Sequence, residues 1–328
     1  MKMEKPDHKT ESVELTFSSV LDRLLEGGVK VSNSEIAALS HASSGDAALF
    51  EQYWVDIVEE RKAHILGRML ELADDDPTLD FSPLYRRMVS DNLAAVRSGA
   101  VKGLWEAEDP SLIRLMIPIM ETDPAEEVRA AAAETLGNFT LLAEHGKLSR
   151  EIRSLLLEKL LGVYRDAGES AEVRRRALES LSYISEPEVA EAITGSYDSD
   201  DLDWRSSALC AAGRNLDPRW LDMLLDELFS DIPEVRFQAI IACGEYEDEL
   251  AVPQLISLTQ DADTQIKLAA ITVLGKIGGA EATRHLRELT EGTDEAEAEL
   301  AGTVLEDMVS DDEIMEMLAN DADARGLK

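Results

Sequence analysis

Cysteine is nearly missing from this chain, with Cys210 and Cys243 the two it has in 328 residues. A disulfide framework is thereby excluded. Each thiol falls in a segment of helical apolar spacing and reads as a small buried side chain in a reducing compartment. Long hydrophobic runs are also absent: no stretch of 18 apolar residues occurs, and the opening Met1-Lys2-Met3-Glu4-Lys5-Pro6-Asp7-His8 leads into nothing resembling a secretory segment. A soluble, cytoplasmic protein is expected. Positive charge is scarce, with 32 basic residues against 67 acidic ones and a formal charge of −35. That balance repels nucleic acid and anionic membrane, so neither is expected as a partner. An acidic run ordinarily means a solvated exterior, with salt adaptation as the alternative. The local signatures of catalysis are missing too: there is no G-x-S-x-G elbow, no phosphate loop of the form G-x-x-x-x-G-K-[ST], no H-E-x-x-H and no paired C-x-x-C. Acidic pairs such as Asp200-Asp201 sit in turns, where carboxylates cap helices more often than they move protons. No catalytic residue, metal ligand or cofactor is therefore assigned.

What the chain does contain is repetition. Val235-Arg236, Ala239 and Cys243-Gly244 return 31 residues later as Ile266-Lys267, Ala270 and Leu274-Gly275. A fixed period this short is the mark of a solenoid. Each period reads as two helices. Ala251 to Gln260 carries Val252, Leu255, Ile256 and Leu258, and Asp261-Ala262-Asp263-Thr264 is turn and capping chemistry. The second helix follows, with Ile266, Ala269, Ala270, Val273, Leu274 and Ile277 forming one apolar stripe and Gly275, Gly278 and Gly279 read as its end. The alanine in the middle of each stripe is small enough for two helices to approach closely. Moving back along the chain, the unit recurs at Trp204-Arg205, Val173-Arg174, Val128-Arg129 and Val96-Arg97; moving forward it decays at Glu297-Ala298, as a capping repeat would.

The pattern Val-Arg-x-x-Ala-x-x-x-Leu-Gly, preceded by an aspartate-rich turn and a helix containing Val252-Pro253-Gln254-Leu255, resembles the HEAT repeat family, and more narrowly the phycobilisome-lyase HEAT-like repeats. The resemblance implies an all-α fold, an α-α superhelix of HEAT type whose second helices line the concave side. It also implies membership in a group made up mostly of scaffolds and adaptors, with occasional enzymes. One such enzyme, deoxyhypusine hydroxylase, rests on repeated His-Glu pairs that bind two irons. His8, His41, His64, His145 and His285 are the histidines here, and glutamate follows none of them. HEAT-like DNA glycosylases use a basic concave face, against which the net charge argues. Phycobilin lyases offer no local motif to match residue by residue.

In chain order, residues 1–12 are expected to be disordered and 13–77 to form an N-terminal helical cap without the repeat motif, its stretch from Leu49 to Leu72 making one long helix or two. Residues 78–308 are expected to form the repeat solenoid, with Ser82 capping its first helix ahead of Pro83, and 309–328 a C-terminal capping helix and acidic tail. Between the motifs at Val128 and Val173, 14 extra residues fall around Phe139 to Arg150. Insertions of this kind are either binding features or harmless lengthening.

The leading functional expectation is a non-catalytic scaffold or adaptor that binds protein partners and is monomeric alone. A chromophore-handling phycobilin-lyase-like protein is the alternative, and a nucleic-acid enzyme the second alternative. Two sets of residues follow from the repeat. The basic residue at the second motif position, Arg97, Arg129, Arg174, Arg205, Arg236 and Lys267, is expected to form a structural ladder with turn carboxylates such as Asp91, Asp123, Asp200, Asp231 and Asp261. At 100° per residue from the buried Val235, the third motif position lies at about 200° and the sixth at about 140°, both away from the helix's own core stripe. Phe237 and Leu268 at the third position, with Ile240 and Ile271 at the sixth, are therefore expected to form an exposed apolar strip for a partner, with Arg175 as a third-position cation in an earlier unit.

Overall fold

The computed structural model describes residues 15–26 and 30–308; the expected disordered tail at 1–12 and the capping helix and acidic tail at 309–328 lie outside them. Two compact units make up the chain, the first ending at Asn138 and the second beginning at Phe139. The secondary structure of the described residues is helical throughout.

The first unit contains α1 (Phe17–Leu25), α2 (Asn33–Ala37), α3 (Ser44–Trp54), α4 (Glu59–Asp75), α5 (Ser82–Met88), α6 (Ala94–Lys102) and α7 (Ser111–Thr122), and it enters α8 (Glu126–Glu144). The stretch from Leu49 to Leu72 resolves into two helices, broken at Val55 to Val58, where exposed valines flank the turn. Ser32 and Ser43 cap α2 and α3 in reciprocal boxes with Glu35 and Asp46 three residues on. The cap of α5 falls one residue before the expected Ser82, at Phe81. Alternate helices pack on one another, α3 on α5 and α4 on α6, while α5 and α6 close a hairpin.

The second unit runs through α9 (Arg150–Arg165), α10 (Ala171–Leu181), α11 (Pro187–Tyr197), α12 (Leu202–Asn215), α13 (Leu221–Glu227), α14 (Pro233–Tyr246), α15 (Val252–Leu258), α16 (Thr264–Ile277), α17 (Gly279–Thr290) and α18, at 295–308. Here α10, α12, α14 and α16 lie side by side in that order, each packed against the preceding helix of its own hairpin. The 14 extra residues make no long loop. They lengthen α8 to 19 residues and α9 to 16, leaving a turn at 145–149.

The closest approach between neighbouring hairpins is made at glycine. A Cβ at Gly213 would stand 2.8 Å from the Cα of Ala242, one at Gly244 would stand 3.1 Å from Val273, and one at Gly275 would overlap Val304. The three glycines and their three partners each repeat every 31 residues, so one contact is made three times. Gly275 is therefore inside α16 and does not end it; the helix terminates at Gly278, whose φ of 70° only glycine adopts freely. Its equivalents one and two units earlier, Glu247 and Leu216, hold left-handed φ values of 51° and 56°. Ala208, Ala239 and Ala270 are wholly buried in the core of each hairpin, as the stripe requires.

Gly213→Ala is expected to cost about 1–3 kcal/mol, because the added methyl meets backbone and overpacking outweighs the gain in helix propensity. Gly162→Ala, in α9 where nothing lies within 4 Å of the new methyl, is expected to stabilise by about 0.5–1 kcal/mol. Thermal melts of the two variants should move in opposite directions.

Candidate interaction surface

The repeated basic residues do their work at the turns. Arg97 makes a bidentate pair with Asp123, at 2.8 Å through Nε and 2.7 Å through Nη2, while its Nη1 donates to the carbonyl of Asp91 at 2.9 Å. Asp123 in turn accepts from the amide of Ala125 at 2.9 Å, which shapes its own turn. The same arrangement returns at Arg236, which donates to the carbonyl of Ser230 at 2.7 Å and to Asp261 at 3.2 Å, and Asp261 accepts from the amide of Asp263. One guanidinium thus binds its own turn six residues back and the carboxylate of the next turn along.

Two expected partners are corrected by register. The residues that stand where Asp123 and Asp261 stand are Ser199 and Ser230 in the units between, so Asp200 and Asp231 are displaced by one position. Without that aspartate the cation finds another acceptor. Arg205 pairs with buried Glu227, which also accepts from the Tyr197 hydroxyl. Arg174 donates to the carbonyl of Tyr164 at 2.8 Å and lies 5.0 Å over the ring of Trp204. Lys267 reaches Glu297 at 2.8 Å, and Arg129 donates to the carbonyl of Asp123, also at 2.8 Å. Asp91, expected on the ladder, takes its cation from an unexpected source. Lys62 of α4, inside the segment that lacks the sequence motif, pairs with it at 2.8 Å, with the two side chains 7% and 2% exposed.

These carboxyls are held below the usual aspartate range. At Asp123 and Asp91 burial works against the charge, but it is outweighed by hydrogen bonds from Arg97 and the Ala125 amide in the first case and from Lys62, the Leu93 amide and Trp54 in the second. Asp261 follows the same logic, with the Asp263 amide and Arg236 overcoming burial. The cysteines carry no activated thiol: burial pushes Cys210 up to about 11 and Cys243 up to about 12.

The expected apolar strip is redrawn. Ile240 and Ile271 have no exposed surface, because the flank at about 140° is turned toward the following long helix, the side on which Gly244 and Gly275 make their close contacts. Phe237 and Leu268 are half-buried. The residue missed from the sequence is Ile241, one helical turn beyond Phe237 at about 240° and 41% exposed. Arg175 is no free cation, since it pairs with Glu172 and, at 2.7 Å, with Asp203. Elsewhere in the second unit Phe229 and Leu250 stand 69% and 63% exposed at the turns. Beside Phe237 lies a cavity of about 200 Å³, lined by Ser206, Glu234, Gln238 and Asp263 among others. Among the described residues no cluster of His, Cys, Asp and Glu is arranged to hold a metal, and no helix is long and apolar enough to cross a membrane.

The family model for HEAT repeats matches residues 81–156 and 221–306, over the hairpins just described. This is a HEAT-repeat chain. Among solved structures the HEAT chain is similar to YibA of Escherichia coli, at 17% identity over 72% of this chain and 96% of the other with a TM-score of 0.42. It is also similar to the complex of CpcE and CpcF of phycocyanin lyase from a Nostoc species, at 15% identity over 69% and 94% with a TM-score of 0.46. Human deoxyhypusine hydroxylase is a third such structure, at 17% identity over 81% and 96% with a TM-score of 0.35. No curated protein matches the chain. Likenesses of this size say nothing about activity.

Breaking the buried pair with Arg97→Ala is expected to cost about 3 kcal/mol, since a desolvated carboxylate is left behind. Arg87→Ala, which breaks an exposed pair with Glu51, is expected to cost under about 1 kcal/mol. The depressed aspartates set the pH dependence. Their folded pKa lies below the unfolded one, so their contribution is complete above the unfolded value of about 3.9 and is lost as pH falls through the folded value. The melting temperature should drop steeply below about pH 4, and Asp123→Asn should be less stable at pH 7 yet flatter across that acid limb.

Proposed function

We propose that this HEAT-repeat chain is a scaffold or adaptor that acts by binding a protein partner and not by catalysis. The observation that carries the proposal is the face of α14 and α16 on which half-buried Phe237 and Leu268 and exposed Ile241 interrupt a surface of polar and charged residues. Apolar side chains grouped on a polar exterior are typical of interaction sites, and a large aromatic at the centre is the usual anchor. The ladder serves a different end, for its cations are engaged with the turns of the solenoid. We place the protein in the cytoplasm, in keeping with two thiols that are buried or half-buried and unpaired. A bilin-handling role has no local feature to support it, and the formal charge of −35 speaks against a nucleic-acid enzyme.

Crosslinking and capture with the tagged chain from its native source should yield a protein partner whose affinity is then measured on purified components. Phe237→Ala combined with Leu268→Ala should weaken that affinity by more than about 1 kcal/mol while leaving the melting temperature nearly unchanged. Ile240→Ala should do the reverse, costing about 2–5 kcal/mol of stability from its sealed position. A double variant that melts early and binds normally would return Phe237 and Leu268 to the core.

A further inference from the structure

The face around Phe237 carries a second pattern, of charge. Three residues before each third position stand Glu172, Asp203, Glu234 and Gln265, one per unit, and the third positions themselves are Arg175, Ser206, Phe237 and Leu268. In α10 the unit is self-contained: the Arg175 guanidinium spans from Glu172 on its own helix to Asp203 at the start of α12, reaching the latter at 2.7 Å. One unit later the two carboxylates are present again as Asp203 and Glu234, but the residue that would bridge them is Ser206, too short to reach either. Asp203 is served by Arg175 from the other side. No cation among the described residues pairs with Glu234. Beside Ser206, between the starts of α14 and α16, is the cavity of about 200 Å³, lined by Ser206, Glu234, Phe237, Gln238, Asp263 and Gln265 among others. Two of its lining residues, Glu234 and Asp263, are acidic and one, Phe237, is aromatic.

We propose that this cavity is the seat of an arginine side chain supplied by a basic segment of the protein partner, resting on the scaffold role argued above. The guanidinium lies over the Phe237 ring and pairs with Glu234, the contacts a planar cation makes best. Arg175 shows in the same chain how a guanidinium is held by the carboxylate at the equivalent position, Glu172. Apolar residues beside that arginine in the partner meet Ile241 and Leu268. The acidic exterior attracts such a segment at a distance, and the seat selects among the segments that arrive.

Fluorescence anisotropy of a fluorescein-labelled tetra-arginine peptide, at physiological salt, tests the seat apart from the bulk charge. Ser206→Arg places the chain's own guanidinium where the proposal puts the partner's, and Ser257→Arg makes the same change of charge on exposed α15. Ser206→Arg should weaken binding at least tenfold and Ser257→Arg less than twofold. Glu234→Gln, at an exposed position with no internal pair to lose, should also weaken binding tenfold, so the test stands even if Ser206→Arg folds poorly. Equal effects from Ser206→Arg and Ser257→Arg, or none from Glu234→Gln, would overturn the proposal. So would a concentration-dependent dimer in sedimentation that Ser206→Arg abolishes, which would give the seat to a second copy of the chain. A captured partner that binds Ser206→Arg as tightly as the native chain would sink the arginine seat and leave the scaffold role standing. Selective peptide binding with no partner captured would leave the seat and remove the evidence for a scaffold.

Discussion

Everything in the second unit depends on how near one long helix comes to the next. At Gly213, Gly244 and Gly275 the distance is so short that a methyl group would strike the following helix, at Ala242, Val273 and Val304 respectively. A glycine inside a helix costs about 1 kcal/mol relative to alanine, so its return every 31 residues needs a compensation. The compensation is the dense side-by-side packing of α12, α14, α16 and α18 that only a missing side chain permits. Spacing set this tightly also fixes where each turn falls relative to the next, and hence whether an arginine from one unit can reach the carboxylate of another.

A second contact ties successive turns together. Arg97 and Arg236 each reach back to a carbonyl six residues earlier and forward to the aspartate of the next turn, so the backbone of two turns is tied through one side chain. The aspartate must be ionised to accept both a guanidinium and its own turn amide. Where serine replaces it the acceptor moves, to Glu227 for Arg205 and to the Tyr164 carbonyl and an indole ring for Arg174. A role that survives replacement of its partner belongs to the position and not to the residue, as expected in a structure whose stability is a sum of nearest-neighbour terms.

The repeat and its helices were legible because both depend on periodicities of the chain itself: 3.6 residues for the apolar stripe and 31 for the hairpin. Contacts between hairpins were legible only in part. Lys62 could not be recognised as a ladder residue, since the motif around it is absent and its pairing with Asp91 is visible only when α4 and α6 are stacked. Ser199 and Ser230 were hidden by aspartates one position away, a slip that a helical wheel does not detect. Ile240 and Ile241 make the same point about the surface. Adjacent in sequence, they differ by 100° on the helix, and a single-helix wheel gives both an outward direction. The neighbouring helix buries one and leaves the other 41% exposed.

The freedom to specialise lies in what the packing leaves unconstrained. The core alanines, the close-approach glycines of α12, α14 and α16 and the ladder cations are fixed by contacts between helices, whereas the third position varies from unit to unit. Across α10, α12, α14 and α16 it passes from Arg175 through Ser206 and Phe237 to Leu268, while the carboxylate three residues before it persists through the first three units. The result is a surface that changes by degrees along the row of long helices: an internally satisfied ion pair at one end, an apolar face at the other, and between them Glu234 beside an aromatic ring with no cation of its own. From Arg175 to Leu268 the third position passes from charged to apolar while staying half-buried in every one of these units. On the scaffold role proposed above, the same change sets which partners the face can hold.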